Sequence, residues 1–145
     1  MPYFTLQLTP SGPIVNVVIG VSSPREAALT QAGLPVPQLI QARLLVDTGA
    51  SCTVIDKKII SGLALTPTGQ SSMLTPSTGS TPSPVDQYDV RVTILHQVLS
   101  RHFWIIPVLE SDFSAQNIDG LLGRDVLREC FMAYDGQSGN FTLAF

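Results

Sequence analysis

The sequence predicts an all-β, barrel-like single domain over residues 1–145, with one or two short helices. Two observations carry this expectation. Short runs rich in β-branched and aromatic residues follow one another along the chain, separated by Gly-, Pro- and Asp-containing turns. Only two brief segments read as helix, which leaves a closed sheet as the way to bury the rest. At 145 residues the chain is long enough to bury a real core. With 44% hydrophobic and 13% charged residues it is apolar for a soluble domain, so an oligomer interface or a peptide-binding groove is expected to cover part of its surface.

Tyr3 to Thr9 alternates apolar and polar residues and reads as a strand, ended by the turn Pro10-Ser11-Gly12-Pro13. Ile14 to Val21 is a β-branched run and a second strand. Ser23-Pro24-Arg25-Glu26 carries a Ser cap, a Pro at the first helical position and a Glu three residues after the cap. A short helix from Glu26 to Gln31 would then close at Gly33, and Pro35 and Pro37 prevent its continuation. Leu39 to Val46 is the next strand, and Thr53 to Ile55 a short one beyond it.

Residues 66–84, TPTGQSSMLTPSTGSTPSP, read either as a flexible linker or as a mobile hairpin. The apolar Met73 and Leu74 and the strand-like flanks favour a hairpin over about 69–84, with its tip near Thr78-Gly79. Tyr88 to Leu95 and His102 to Leu109 are two further strands, the second marked by Pro107 as an edge or bulge. Ile118 to Leu122 leads into Gly123, and Arg124 to Phe131 reads as one helix with Val126, Leu127, Cys130 and Phe131 on one face. Asp135-Gly136 and Ser138-Gly139 turn the chain into a last strand, Asn140 to Phe145. No internal repeat is visible.

Several function classes are poor fits. Net charge is −3 and the largest basic cluster is Lys57-Lys58, read as a solvated pair, so neither nucleic acid nor an anionic membrane is expected as a partner. No apolar run approaches the roughly 20 residues of a membrane helix. The N-terminal MPYFTLQLTPSGP lacks the pattern of a signal peptide, so a cytoplasmic location is expected. Cys52 and Cys130 are expected to be buried reduced thiols rather than a bridge, and no spacing suggests a metal or a cofactor. His96 and His102 read as ordinary surface or edge histidines, and Phe103 and Trp104 as core or groove wall.

The chemistry is concentrated in LLVDTGASCTVID, Leu44 to Asp56. An apolar strand runs straight into Asp47-Thr48-Gly49, and a carboxylate left without partners between buried strands is costly. Gly49 is expected to let the backbone turn sharply and approach a substrate, and Thr48 to hydrogen-bond inward and hold the loop. Downstream, Leu121-Leu122-Gly123-Arg124-Asp125 opens a helix after an apolar strand.

Together these two segments resemble the aspartic proteases, and the retroviral type (retropepsins and their cellular and bacterial relatives) in particular. LLVDTGAS matches the catalytic loop, and GLLGRDVL matches the strand-loop-helix packed behind it. PYFTLQL and NFTLAF are similar to the terminal strands through which retroviral subunits join. The resemblance implies a closed acid-protease barrel that is a single-lobe subunit of a homodimer. Asp47, Thr48 and Gly49 would be catalytic, with Leu121, Leu122, Gly123, Arg124 and Asp125 as structural support. Ala50, Ser51, Met73, Leu74, Thr78 and Gly79 would bind an extended peptide or protein substrate, with Val46 and Ile118 as further pocket walls. Two such aspartates face each other in the family and share a proton, one acting as base on a water and the other polarising the scissile carbonyl. The chain holds one Asp-Thr-Gly, and Asp119-Gly120 and Asp135-Gly136 read as surface turns, so a second copy must supply the second aspartate.

Two departures stand out. Ser51 occupies a position where retroviral members often have an Asp that pairs with the helix Arg. Arg124 therefore either finds another partner, across the dimer interface for instance, or is simply solvated. The segment Val21 to Pro37 is longer than in the compact viral enzymes. Besides an active endopeptidase, the pattern allows a non-catalytic dimerisation or peptide-binding module, or a domain released from a longer precursor.

Overall fold

The computed structural model describes residues 1–75, 79–96 and 102–145. Ten strands and three short helices follow in the order β1 (Tyr3–Gln7), β2 (Ile14–Val21), α1 (Ser23–Gln31), β3 (Ile40–Val46), β4 (Val54–Asp56), α2 (Lys57–Gly62), β5 (Gly69–Met73), β6 (Ser83–Ile94), β7 (Phe103–Ser111), β8 (Gly120–Leu122), α3 (Arg124–Leu127), β9 (Phe131–Asp135) and β10 (Asn140–Ala144).

The larger sheet runs β2-β3-β8-β4-β7-β6-β5, and a further pairing of β2 with β6 closes the first six strands into a barrel. The β3–β8 and β4–β7 pairs are parallel, and the other pairs are antiparallel. Alternation along each strand fills the interior: Val15, Val17, Ile19, Val90, Val92 and Val108 are all fully buried. A second, smaller apolar cluster gathers Ile14, Val54, Leu109, Phe113 and Ile118. Outside the barrel, β1, β10 and β9 form a separate three-stranded antiparallel sheet.

The hairpin expected near 69–84 is present: β5 and β6 pair from Gly69 with Gln87 to Met73 with Ser83. Gly79 has a φ of +62°, a turn conformation suited to glycine, whereas the expected tip residue Thr78 lies outside the described residues. Pro107 is accommodated because β4 flanks β7 only from Leu109 onward. At Pro107 the strand has a ladder neighbour on one side only, so the missing N–H costs no hydrogen bond.

Three expectations change. Helix α1 is capped by Ser22 rather than Ser23, with the Ser22 hydroxyl oxygen accepting from the Arg25 amide at 3.4 Å. Helix α2 makes three helices instead of one or two: Asp56 caps it, accepting from the Lys58 amide at 2.7 Å, and Ile59 and Ile60 bury its inner side. Helix α3 is only Arg124–Leu127, because Phe131 enters β9 and pairs with Ala144 instead of continuing the helical face. Phe131 is consequently 59% exposed. Among the described residues, no helix is long and apolar enough to cross a membrane.

The extra segment after β2 carries α1, which buries none of its residues. It is tied to the barrel wall by Glu26, whose carboxylate accepts from Arg91 on β6 at 3.0 Å. Next to it, Gly20 leaves the space into which Leu39 packs; a Cβ there would stand 2.5 Å from the Leu39 side chain.

Candidate active site

Strand β3 delivers Asp47 to the end of the barrel. β8 lies parallel beside it, with Leu44 opposite Gly120, Leu45 opposite Leu121 and Val46 opposite Leu122. The Val46 amide donates to the Pro13 carbonyl at 2.8 Å, and the Asp47 amide donates to the Leu122 carbonyl at 3.0 Å. The carboxylate thus leaves a backbone fixed on both sides. Its Oδ1 accepts from the Gly49 amide at 2.8 Å, while the Asp47 carbonyl accepts from the Ala50 amide at 3.3 Å. Asp47 is half-buried, and Thr48 and Gly49 are exposed.

Gly49 serves the site through space rather than through an unusual φ. A Cβ there would lie 3.1 Å from Asp47 Oδ1, tight against the oxygen that the Gly49 amide holds. Thr48 does not turn inward as expected. Its side chain is exposed, and its backbone carbonyl does the holding, accepting from Arg124 Nη1 at 3.3 Å. That contact also supplies the partner for which the sequence offered alternatives. With Ser51 exposed and uncharged, the guanidinium reaches the loop's own backbone instead. The Arg124 amide adds a bond of 2.9 Å to the Ala50 carbonyl.

The other end of the loop is held by Thr53, which is fully buried and which the sequence reading passed over. Its amide donates to Asp125 Oδ2 at 2.9 Å, its hydroxyl donates to Asp125 Oδ1 at 2.8 Å, and the same hydroxyl accepts from the Gly123 amide at 3.1 Å. The signal available in the sequence was a threonine inside an apolar run, Cys52-Thr53-Val54-Ile55. Buried hydroxyls need partners, and the acidic residue of the downstream motif provides one. Gly123 is required where the two segments touch, because a Cβ would stand 2.4 Å from the Cys52 carbonyl carbon and oxygen and 2.8 Å from the Thr53 nitrogen. Leu122 is fully buried and Leu121 half-buried, so the support residues Leu121 to Asp125 gather behind the Asp47 loop.

The residues expected to meet substrate divide into two groups. Ala50 (half-buried) and Ser51 lie in the loop, while Met73, Leu74 and Gly79 lie on the β5–β6 hairpin. Met73 packs against the smaller apolar cluster and Leu74 is exposed. Val46 is a core residue of the barrel, its side chain turned inward by the strand alternation. Ile118 is likewise buried, in the smaller cluster.

The remaining acidic residues are structural. The Asp119 carboxylate accepts from the Arg43 amide at 2.8 Å, joining β3 to the approach of β8. Asp135 Oδ1 accepts from the amides of Gln137 and Ser138, and the Ser138 bonds hold its carboxyl below the usual range. Asp56 is buried, with Oδ2 accepting from the Phe113 amide at 2.8 Å. Lys57 is not merely solvated but pairs with Asp112 on the surface at 2.6 Å. Trp104 belongs to the core and donates from its indole nitrogen to Glu129 at 3.0 Å. His96 stacks on Phe4, and His102 packs against Trp104 and Phe145. Cys52 and Cys130 are free, half-buried thiols. Among the described residues, no three His, Cys, Asp or Glu side chains gather as a metal site would need.

No curated protein matches the chain. Among solved structures it is similar to the crystal structure of a retropepsin-like aspartic protease from Rickettsia conorii, with 16% identity and a TM-score of 0.59 over 98% of this chain and 89% of that one. At that identity the likeness concerns the fold, and it includes both the barrel and the added strands. A family model described as aspartyl protease matches residues 32–126, a span that runs from before β3 through the Asp47 loop to α3. The chain therefore belongs to the aspartyl protease family and has a retropepsin-like fold.

Proposed function

We propose that the chain is one half of an aspartic endopeptidase. Two copies would place their Asp47 carboxylates face to face and hydrolyse peptide bonds with a water held between them. The observation that carries this reading is the construction of the Asp47 loop. The chain supplies one Asp-Thr-Gly, and its carboxylate is half-buried on a backbone fixed by Leu122, with one oxygen held by the Gly49 amide. A carboxylate positioned so rigidly at the end of an apolar strand has the form of half a carboxylate pair.

In this reaction the ionised carboxylate takes a proton from the water as its oxygen adds to the scissile carbonyl carbon. The protonated partner gives its proton to the carbonyl oxygen. Collapse of the tetrahedral diol then expels the amine, which leaves with a proton. Neither an acyl-enzyme nor a metal is called for. The substrate would lie extended as an added strand, bonded to the loop at Gly49 on one side and to the β5–β6 hairpin acting as a flap on the other. Ala50, Ser51, Met73, Leu74, Thr78 and Gly79 would line its path.

The test is cleavage of a peptide library at several pH values by the wild-type chain and by Asp47→Asn, each with and without a transition-state-mimicking inhibitor. Cleavage by the wild type that both the inhibitor and the substitution abolish supports the proposal. A chain confirmed as a dimer that cuts nothing between about pH 3 and 7 would overturn it.

A further inference from the structure

Strand β6 is one continuous strand that serves two structures. Residues 83–87 of it pair with β5 in the hairpin, and residues 90–94 pair with β2 in the barrel. Because β7 occupies the other edge along residues 87–93, β5 and β2 share one edge of β6 in succession. Tyr88 and Asp89 fall between them, and at that gap the edge passes from hairpin to barrel.

The gap is also where the extra segment starts. β2 ends at Val21, opposite Val90, and the chain turns at once into α1. From the hairpin side, residues 65–68 belong to no strand or helix and lead into β5. The first rung of the hairpin forms there: the Thr68 amide donates to the Gln87 carbonyl at 2.7 Å, and the Thr68 hydroxyl donates to the same oxygen at 3.3 Å. Ser22 and Arg25 at the start of α1, residues 65–68 and Asp89 together line a small cavity of about 150 Å³. The first turn of α1 therefore stands beside the root of the hairpin.

The two ends of the extra segment close on the same place in β6. Glu26 Oε2 accepts from Arg91 Nη2 at 3.0 Å, and Leu39 fills the space left by Gly20, the residue paired with Arg91. Arg91 is itself held, its guanidinium lying 5.9 Å from the centre of the Phe103 ring. Helix α1 buries none of its residues, so it adds little to the core. Its two anchors instead fix its first turn against the hairpin root.

We infer that Glu26 is a positioning residue: through α1 it braces the root of the β5–β6 hairpin and keeps the hairpin ordered to receive substrate. This rests on reading that hairpin as the flap of the proposed peptidase. A hairpin ordered beforehand costs less to immobilise when substrate binds beneath it, so the brace acts on binding rather than on the chemical step.

The test follows backbone hydrogen exchange by NMR in the full chain, with kcat and KM for peptide cleavage measured on the same samples. Glu26→Ala releases one anchor, Glu26→Ala/Leu39→Ala releases both, and Glu26→Gln keeps an oxygen for Arg91. Gly33→Ala, which strains the far end of α1, is the control for damage to the helix itself. In the double variant the amides of Thr68 and β5 should exchange at least about threefold faster, while those of Val17 and Ile19 in the barrel stay unchanged. KM should rise at least about threefold, with kcat within about twofold of the wild type. Glu26→Ala should show a smaller effect of the same kind, and Glu26→Gln and Gly33→Ala should show none.

Unchanged hairpin exchange in the folded double variant, an equal gain at the barrel amides, the same gain in Gly33→Ala, or a loss confined to kcat would overturn the inference. Faster hairpin exchange in a chain that cuts no peptide keeps the brace and removes the protease reading. Wild-type cleavage with KM and hairpin exchange unmoved in the double variant does the reverse.

Discussion

Thr53 donates twice to one carboxylate: its hydroxyl reaches Asp125 Oδ1 at 2.8 Å and its amide reaches Asp125 Oδ2 at 2.9 Å. This pair joins the end of the Asp47 loop to α3, and the Gly123 amide completes it by donating to the Thr53 hydroxyl. Thr53→Val keeps the shape and removes the hydroxyl, leaving the buried Gly123 amide without its acceptor. A loss of about 1–3 kcal/mol of stability is expected in urea unfolding, with peptide cleavage falling further than stability alone explains. Thr53→Ser retains the hydroxyl and should recover most of both.

Gly123→Ala tests the contact between the two segments directly. The new methyl would meet backbone atoms of Cys52 and Thr53, which cannot move aside as a flexible side chain would. Overpacking on the order of 1–3 kcal/mol is expected in denaturant unfolding, together with loss of cleavage as the loop is displaced. Gly33→Ala, at the end of α1, removes a positive-φ glycine that has open space around it. It should cost stability at α1 and leave cleavage intact.

Much of this architecture was legible in the residues, and the failures have physical causes. Strands such as Ile14–Val21 declare themselves because a short run of β-branched residues suits a strand buried on both faces. That Leu121 to Asp125 lie behind the Asp47 loop was legible only through the resemblance of LLVDTGAS and GLLGRDVL to one family's paired segments. Helix α2 was missed because Val54-Ile55-Asp56-Lys57-Lys58-Ile59-Ile60 has apolar pairs that fit a strand as well as a helix. Only the tertiary placement of Asp56, held by the Phe113 amide, fixes it as a cap. β9 was missed because Cys130 and Phe131 continue a helical spacing from Val126. Pairing with β10 overrides that local pattern. Thr53 could not be assigned because its partner lies 72 residues away in sequence.

The Cys130 thiol is pushed up from 9.0 to about 11, first by burial and then by the nearby charge of Glu129. It should alkylate slowly at neutral pH, as measured by the rate of iodoacetamide labelling against a small-molecule thiol. The folded state holds this proton more tightly than the unfolded chain does. The corresponding stability is fully present below pH 9 and is lost as pH rises through about 11. Unfolding midpoints measured across that window should fall, and Cys130→Ser should flatten the fall. A midpoint that falls equally in the variant would contradict this assignment.

Ala50, beside the Asp-Thr-Gly, carries no hydroxyl with which to stabilise an ionised carboxylate. Peptide cleavage should accordingly be fastest under mildly acidic conditions, read from the pH profile of kcat/KM. A maximum near about pH 2 would contradict this. Ala50→Ser should move the profile to lower pH without altering the urea midpoint by more than a few tenths of a molar.

The ion pair between Lys57 and Asp112 is short, yet both side chains are about half exposed. Lys57→Ala should leave the urea unfolding midpoint nearly unchanged, and high salt should erase what difference there is. Its effect should appear instead in acid titration followed by NMR. Lys57 and Ser114 hold the Asp112 carboxyl well below the usual range, and Lys57→Ala should let it rise.

The family model ends at Val126, and β9 begins at Phe131. Five of the six barrel strands and the aspartate thus lie in the matched stretch, whereas β2 and the three-stranded sheet, built from the first strand and the last two, lie outside it. Under the proposed function, changes in that sheet would leave the atoms that cut a peptide untouched. In the proposed enzyme that separation would let the outer sheet be altered independently of the chemistry.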